Sequence, residues 1–146
     1  MRMLKKIISH RGNLTGRNPA RENSPLFIME ALDMGFDVEI DLWVVDGKCW
    51  LGHDEPQHLV EIDFLIERKQ KLWVHAKNIE AVSFLRYEDL NWFWHENDKL
   101  VLTSKGYPWC NFNTFVKGGI TVQFDFEDIP DYVYGICTDE VLKYKQ

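Results

Sequence analysis

Histidines and carboxylates that could move protons or hold a cation recur in four short stretches: His10-Arg11, Glu39-x-Asp41, His53-Asp54 and His75-x-Lys77. In Asp37-Val38-Glu39-Ile40-Asp41-Leu42 a period of two puts Asp37, Glu39 and Asp41 on one face of a strand and Val38, Ile40 and Leu42 on the other. An antiparallel strand with one wet face also reads this way. Facing inward, the carboxylates would repel unless a cation, a proton or a basic partner joined them. Asp46-Gly47 signals a two-residue hairpin. Folding back there sets Trp43 opposite Trp50 and brings Gly52-His53-Asp54 level with Glu39 to Asp41. Strict pairing aims His53 at the wrong face, so a bulge at Gly52 is expected to re-aim it.

The flanking elements explain how such residues could meet. Lys5 to His10 reads as a first strand, ending at His10-Arg11, and residues 12–23 as a polar loop. A helix follows from Pro25 to about Met34, capped by Ser24, started by Pro25 and stopped by Gly35. After the hairpin, Leu59 to Arg68 reads as a helix, Lys71 to Ala76 as a strand ending in His75 and Lys77, and Asn78 as the cap of another helix. Beyond Tyr87 come four strand-like runs, Asn91 to His95, Leu100 to Ser104, Gly119 to Phe124 and Tyr134 to Thr138, without helical stripes between them. About seven strands in a chain well short of the roughly 250 residues usual for an eightfold barrel predict a reduced TIM-type (β/α) barrel, its helices retained in the first half and largely missing in the second. In a parallel barrel the ends of successive strands share one mouth, which would gather His10, Arg11, Glu39, Asp41, His75 and Lys77 there. Outer sheet faces without helices must be covered by loops or by a second copy, so a homo-oligomer is one expectation.

Composition narrows the class. With 146 residues, 45% hydrophobic and 14% aromatic, the chain can bury a core as one globular domain spanning residues 1–146. A net charge of −6 and no clustered Lys and Arg argue against a nucleic-acid groove. Cys49, Cys110 and Cys137 are odd in number without repeated spacing, so neither a disulfide framework nor a thiolate zinc site is indicated. No apolar run is long enough to span a membrane or to serve as a signal peptide, and a cytoplasmic protein is expected.

His10-Arg11-Gly12, Glu22-Asn23, Glu39-x-Asp41, Asp46-Gly47 and His53-Asp54, in this order and at these intervals, resemble the glycerophosphodiester phosphodiesterase family, whose relatives include phosphatidylinositol-specific phospholipase C and sphingomyelinase D. The likeness is specific over residues 7–54 and weaker through His75-Ala76-Lys77-Asn78. Beyond Asp98, the runs Thr103-Ser104-Lys105-Gly106-Tyr107 and Gly135-Ile136-Cys137-Thr138-Asp139 look like a small branch with compact barrels. The resemblance implies a phosphodiester hydrolase of lipid metabolism in which His10 and His53 are general acid and base. Imidazole suits that task because it titrates near neutrality, each such group contributing roughly 10² to 10⁴ in rate.

Glu39 and Asp41 match the family's metal-binding pair, and oxygen ligands favour magnesium or calcium. The family's third ligand is a glutamate two residues before a lysine, where this chain has His75 before Lys77; a nitrogen donor moves preference toward manganese, zinc or similar ions. His75 as a substrate ligand, or Glu96 as the missing oxygen, are alternatives. Arg11, as a forked donor, and Lys77, as a point charge, are assigned to the phosphate, and Glu22 and Asn23 to the support of His10 and Arg11. Lys105 and Asp139 would line the far rim or a solvated turn. The expected partner is a small phosphodiester. The alternative function is a non-catalytic barrel that binds a phosphorylated ligand or sugar phosphate through Arg11, Lys77 and the tryptophans; a third is action on a phosphodiester-linked polymer.

Overall fold

The computed structural model describes residues 4–144. Its centre is β2 (Asp37–Val45), which pairs in parallel with β1 (Lys6–His10) on one side and β5 (Leu72–Ala76) on the other. From there the sheet runs outward to β6 (Trp92–Phe93) past β5, and through β10 (Gly135–Thr138), β9 (Ile120–Val122) and β8 (Pro108–Cys110) past β1, ending on the antiparallel β7 (Leu100–Leu102). The C-terminal half of β2 outruns β1 and carries the antiparallel β3 (Lys48–Leu51) and β4 (His58–Val60). Among the described residues no strand ladder joins β6 to β7. Ser104 tacks the two edges, its N–H donating to the Trp92 carbonyl at 2.7 Å and its Oγ accepting from the Trp92 N–H at 2.9 Å.

This corrects the expected fold. A TIM-type barrel alternates each strand with a helix. Here a curled half-barrel of mixed strands carries three α-helices, α1 (Pro25–Asp33), α2 (Ile62–Ile66) and α3 (Ile79–Leu85), all in the first 85 residues. Leu59 belongs to β4 rather than to a helix, because the chain turns back after Gly52 and pairs His58–Val60 with β3. Strands β4 and β8 are three residues each, too short for periodicity to mark them.

Local chemistry accounts for the elements that do form. Ser24 Oγ accepts from the Phe27 N–H, Pro25 opens α1, and Gly35 leaves it at φ 95°. Asn78 both caps α3, accepting from the Ala81 N–H at 3.0 Å, and clasps both backbone groups of Val44, so the helix start is fixed to β2. Val38, Ile40, Leu42 and Val44 face the side covered by Ile28, Ala31, Leu65, Ala81 and Leu85. Each fully buried Val, Leu or Ile side chain among them contributes about 1.5 to 3 kcal/mol. The concave side is filled by Ile8, Trp73, Phe93, Trp109, Ile120 and Cys137. Behind β10, where helices are lacking, loop residues Ile129 and Val133 with Tyr144 cover Ile136. No helix among the described residues is long and apolar enough to cross a membrane.

Candidate active site

Parallel pairing of β1, β2 and β5 sets His10 beside Glu39 and Asp41 beside His75. Glu39 and Asp41 face inward and are 2% and 1% exposed, so the wet-face alternative for this strand does not hold. Asp41 is clasped by Asn23, whose Nδ2 donates to Oδ2 while its Oδ1 accepts from the Asp41 N–H, both at 2.9 Å. Arg11 adopts φ 62° and Asn23 φ 65°, in a loop closed by the Asn23 N–H on the Arg11 carbonyl. That turn points the Arg11 guanidinium back under the site, where Nη1 donates to Glu22 at 3.1 Å and Nε lies 3.5 Å from Asp41 Oδ2.

His53 arrives by another route than the expected bulge. Regular pairing continues far enough for the Gly52 N–H to donate to the Asp41 carbonyl, and the chain then leaves the ladder. The turn is tight enough that a Cβ on Gly52 would collide with the Glu55 carbonyl oxygen. Trp43, paired with Trp50 as the hairpin predicts, donates its indole N–H to the Gly52 carbonyl at 2.7 Å and holds the turn in place. His53 Nδ1 thereby lies 3.5 Å from Asp41 Oδ2 and Nε2 3.2 Å from Arg11 Nη2. A guanidinium only donates, so Nε2 is the acceptor and Nδ1 carries the proton.

His75 is fixed from behind. Its Nε2 donates to the His95 carbonyl at 3.0 Å and its ring stacks on Phe93. Nδ1 then faces Asp41 Oδ1 at 3.2 Å and Glu39 Oε2 at 3.8 Å. Backbone anchoring of one ring nitrogen while the other faces carboxylates is the arrangement by which proteins orient a metal-ligating histidine. Donor atoms of Glu39, Asp41 and His75 lie within 4.8 Å of one another, and Glu39 Oε1 is buried without a hydrogen-bond partner. These residues fit a divalent cation.

His10 Nδ1 lies 2.8 Å from Asp139 Oδ1, leaving Nε2 directed at Glu39 Oε1, 3.8 Å away. Asn13 bridges Glu22 and Asp139 with its Nδ2. Asn13 is a supporting residue that sequence reasoning missed, and Asp139 was placed on a rim or a solvated turn; both are buried at the site. The only signal was position: β10 pairs with β1 through Ser9 and Thr138, so Asp139 follows Thr138 as His10 follows Ser9. Glu96, by contrast, is exposed beyond β6, and Lys105 is bonded to Asp89 at the other end of the sheet. Lys77 is half-buried and has no ion pair among the described residues, though its charge acts on Glu39.

The electrostatics follow from this packing. Burial, and then the neighbouring Asp41, push the Glu39 carboxyl well above its ordinary value. Burial opposes ionisation of Asp41 too, but contacts from His53, His75 and Asn23 outweigh it and hold that carboxyl far below the usual range. Asp139 is likewise lowered, against burial, by its bond to His10. Of the four buried carboxyl groups, Glu22 faces Arg11 and Arg17, Asp41 faces Arg11, Asp139 faces His10, and Glu39 feels the charges of Arg11 and Lys77. A proton on Glu39, or a divalent cation beside it, would relieve the repulsion between Glu39 and Asp41.

No family model, no curated protein and no solved structure matches the chain.

Proposed function

We propose that the protein is a metal-dependent phosphodiester hydrolase of the glycerophosphodiester phosphodiesterase type, acting on a small glycerophosphodiester-like substrate. The observation that carries this reading is the set of three oriented imidazoles around one buried carboxylate pair: His10 held by Asp139, His53 by Arg11, and His75 by the His95 carbonyl. The curled half-barrel lacks the alternating helices that the resemblance implies, so support comes from the site rather than from the fold.

In this reading Arg11 and Lys77 bind the phosphate, and Arg11 turns a donor from His53 to the incoming oxygen, freeing the Nε2 lone pair. One of His10 and His53 accepts the proton of the attacking hydroxyl and the other protonates the leaving alcohol. Asp139 fixes the His10 ring so that Nε2 is the working nitrogen, and it stabilises the imidazolium when His10 is charged. A divalent cation on Glu39, Asp41 and His75 would hold a non-bridging phosphate oxygen and offset the charge that develops there. With a glycerol-type head group, a vicinal hydroxyl attacks first and gives a cyclic phosphate. The test is turnover of a glycerophosphodiester panel by His10→Ala and His53→Ala. Each is expected to abolish turnover with circular dichroism unchanged, and wild-type rates in either would overturn the assignment.

A second reading is favoured by one distance. His75 Nδ1 is 3.2 Å from Asp41 Oδ1, close enough for a protonated ring to complete the cluster without a cation. The protein would then bind a phosphorylated ligand through Arg11 and Lys77 without turning it over. Retention of ligand by both histidine variants, with no turnover by the wild type, would select this reading.

A further inference from the structure

Three strands that carry the candidate active site begin at a second polar cavity. Lys6 opens β1, Asp37 opens β2, and Leu72 and Trp73 open β5; together they border a depression of about 520 Å³ at the end of the sheet opposite His10. That volume suits a molecule the size of a phosphorylated hexose. Asp37, on the inner face of β2 with Glu39 and Asp41, has no part in the phosphodiesterase reading.

Three kinds of chemistry meet there. Lys69 and Lys105 converge on one carboxylate, Asp89, at 2.9 and 2.6 Å, so one carboxylate balances two ammonium groups and a positive charge is left over. Their pull holds the exposed Asp89 carboxyl down at about 2. Across the cavity the buried Asp37 carboxylate accepts from the Trp73 indole N–H at 3.0 Å and lies 3.2 Å from Lys6 Nζ. Asn91, also in the lining, has a side-chain oxygen buried without a donor. The third component is aromatic: Tyr107 stacks on Tyr134, with centroids 5.6 Å apart, and meets Trp73 edge-on.

We propose that this cavity is a binding site for a sugar monophosphate, distinct from the candidate active site. Lys69 and Lys105 take the phosphate as charge-assisted donors. Asp37 and Asn91 accept from the hydroxyls, and the Tyr107–Tyr134 slab packs against the ring face. The proposal does not depend on the phosphodiesterase reading.

The experiment is calorimetric titration of the full chain with glucose 6-phosphate, with glucose and inorganic phosphate as separate arms. Saturable binding is expected for the sugar phosphate, at least about tenfold tighter than for either part alone, since both halves of the ligand are engaged. The double variant Lys69→Gln/Lys105→Gln is expected to weaken it at least about tenfold. Asp89→Asn frees both lysines and is expected to tighten it. Lys77→Gln, at the other end of the sheet, is expected to leave it unchanged. No saturable binding would overturn the proposal, as would equal affinity for inorganic phosphate, tightening absent in Asp89→Asn, or loss of binding in Lys77→Gln, which would place the ligand in the active site instead.

Discussion

His10 and Asp139 are separated by 129 positions in the chain, yet their side chains meet at 2.8 Å because the first and last strands of the sheet lie side by side. The carboxylate can only accept, so it fixes the proton on Nδ1 and presents Nε2 to the site. Asp139→Asn keeps the shape but removes the charge and admits the other tautomer. A fall in kcat of about 10² or more is expected, with little change in KM and with thermal stability retained. A loss confined to stability would make Asp139 a structural residue.

Glu39 gives a prediction with a definite sign in pH. Its folded pKa is raised, so the folded state holds the proton more tightly than the unfolded chain. The stability this confers is present below the unfolded value and is lost as pH rises through the folded one. Glu39→Gln removes the titration. In metal-free buffer the variant is expected to melt higher than wild type at about pH 7.5 and to lose that advantage at about pH 4. The same variant is expected to lose the rise in melting temperature that a bound cation gives the wild type. An equal shift at both pH values would contradict the burial of an unpaired carboxylate.

His75 should decide which cation binds. With a nitrogen donor in place of an oxygen, manganese or zinc is expected to bind more tightly than magnesium or calcium, and His75→Glu to narrow that margin at least about tenfold. Titration calorimetry with each ion measures it. An unchanged margin would remove His75 from the ligand set.

Arg11 is 9% exposed and touches Glu22, Asp41 and His53. Arg11→Gln leaves buried carboxylates without their partner and is expected to cost about 3 to 5 kcal/mol in urea unfolding, before any effect on phosphate binding. A cost under about 1 kcal/mol would show that the site is solvated.

Some of this was legible in the sequence because the physics is local. Asp46 and Gly47 both take positive φ, 52° and 78°, as a tight hairpin requires, and the predicted Trp43–Trp50 pair follows from them. Ser24 and Asn78 cap the helices their types suggest. The inward carboxylates and the gathering of His10, Arg11, Glu39, Asp41 and His75 followed from period two and strand ends, while His53 followed from the hairpin and Glu22 and Asn23 from the family resemblance. What was not legible depends on distant pairing. Asp139 acquires its partner only through the β1–β10 ladder, and His75 its tautomer only through a backbone carbonyl at His95. The barrel failed for the same reason. Sequence shows that helices thin out after Leu85, but not that the strands left behind form a curled sheet tacked at Ser104 rather than a closed ring.

The most direct test is ³¹P NMR of the purified protein with glycerophosphodiesters and a lysophospholipid, in magnesium, calcium, manganese and chelator, with His10→Ala alongside. Cyclic phosphate or phosphomonoester signals are expected with a divalent cation and are expected to vanish with chelator and in the variant. Unchanged substrate spectra from folded wild-type protein under every metal would contradict the phosphodiesterase assignment.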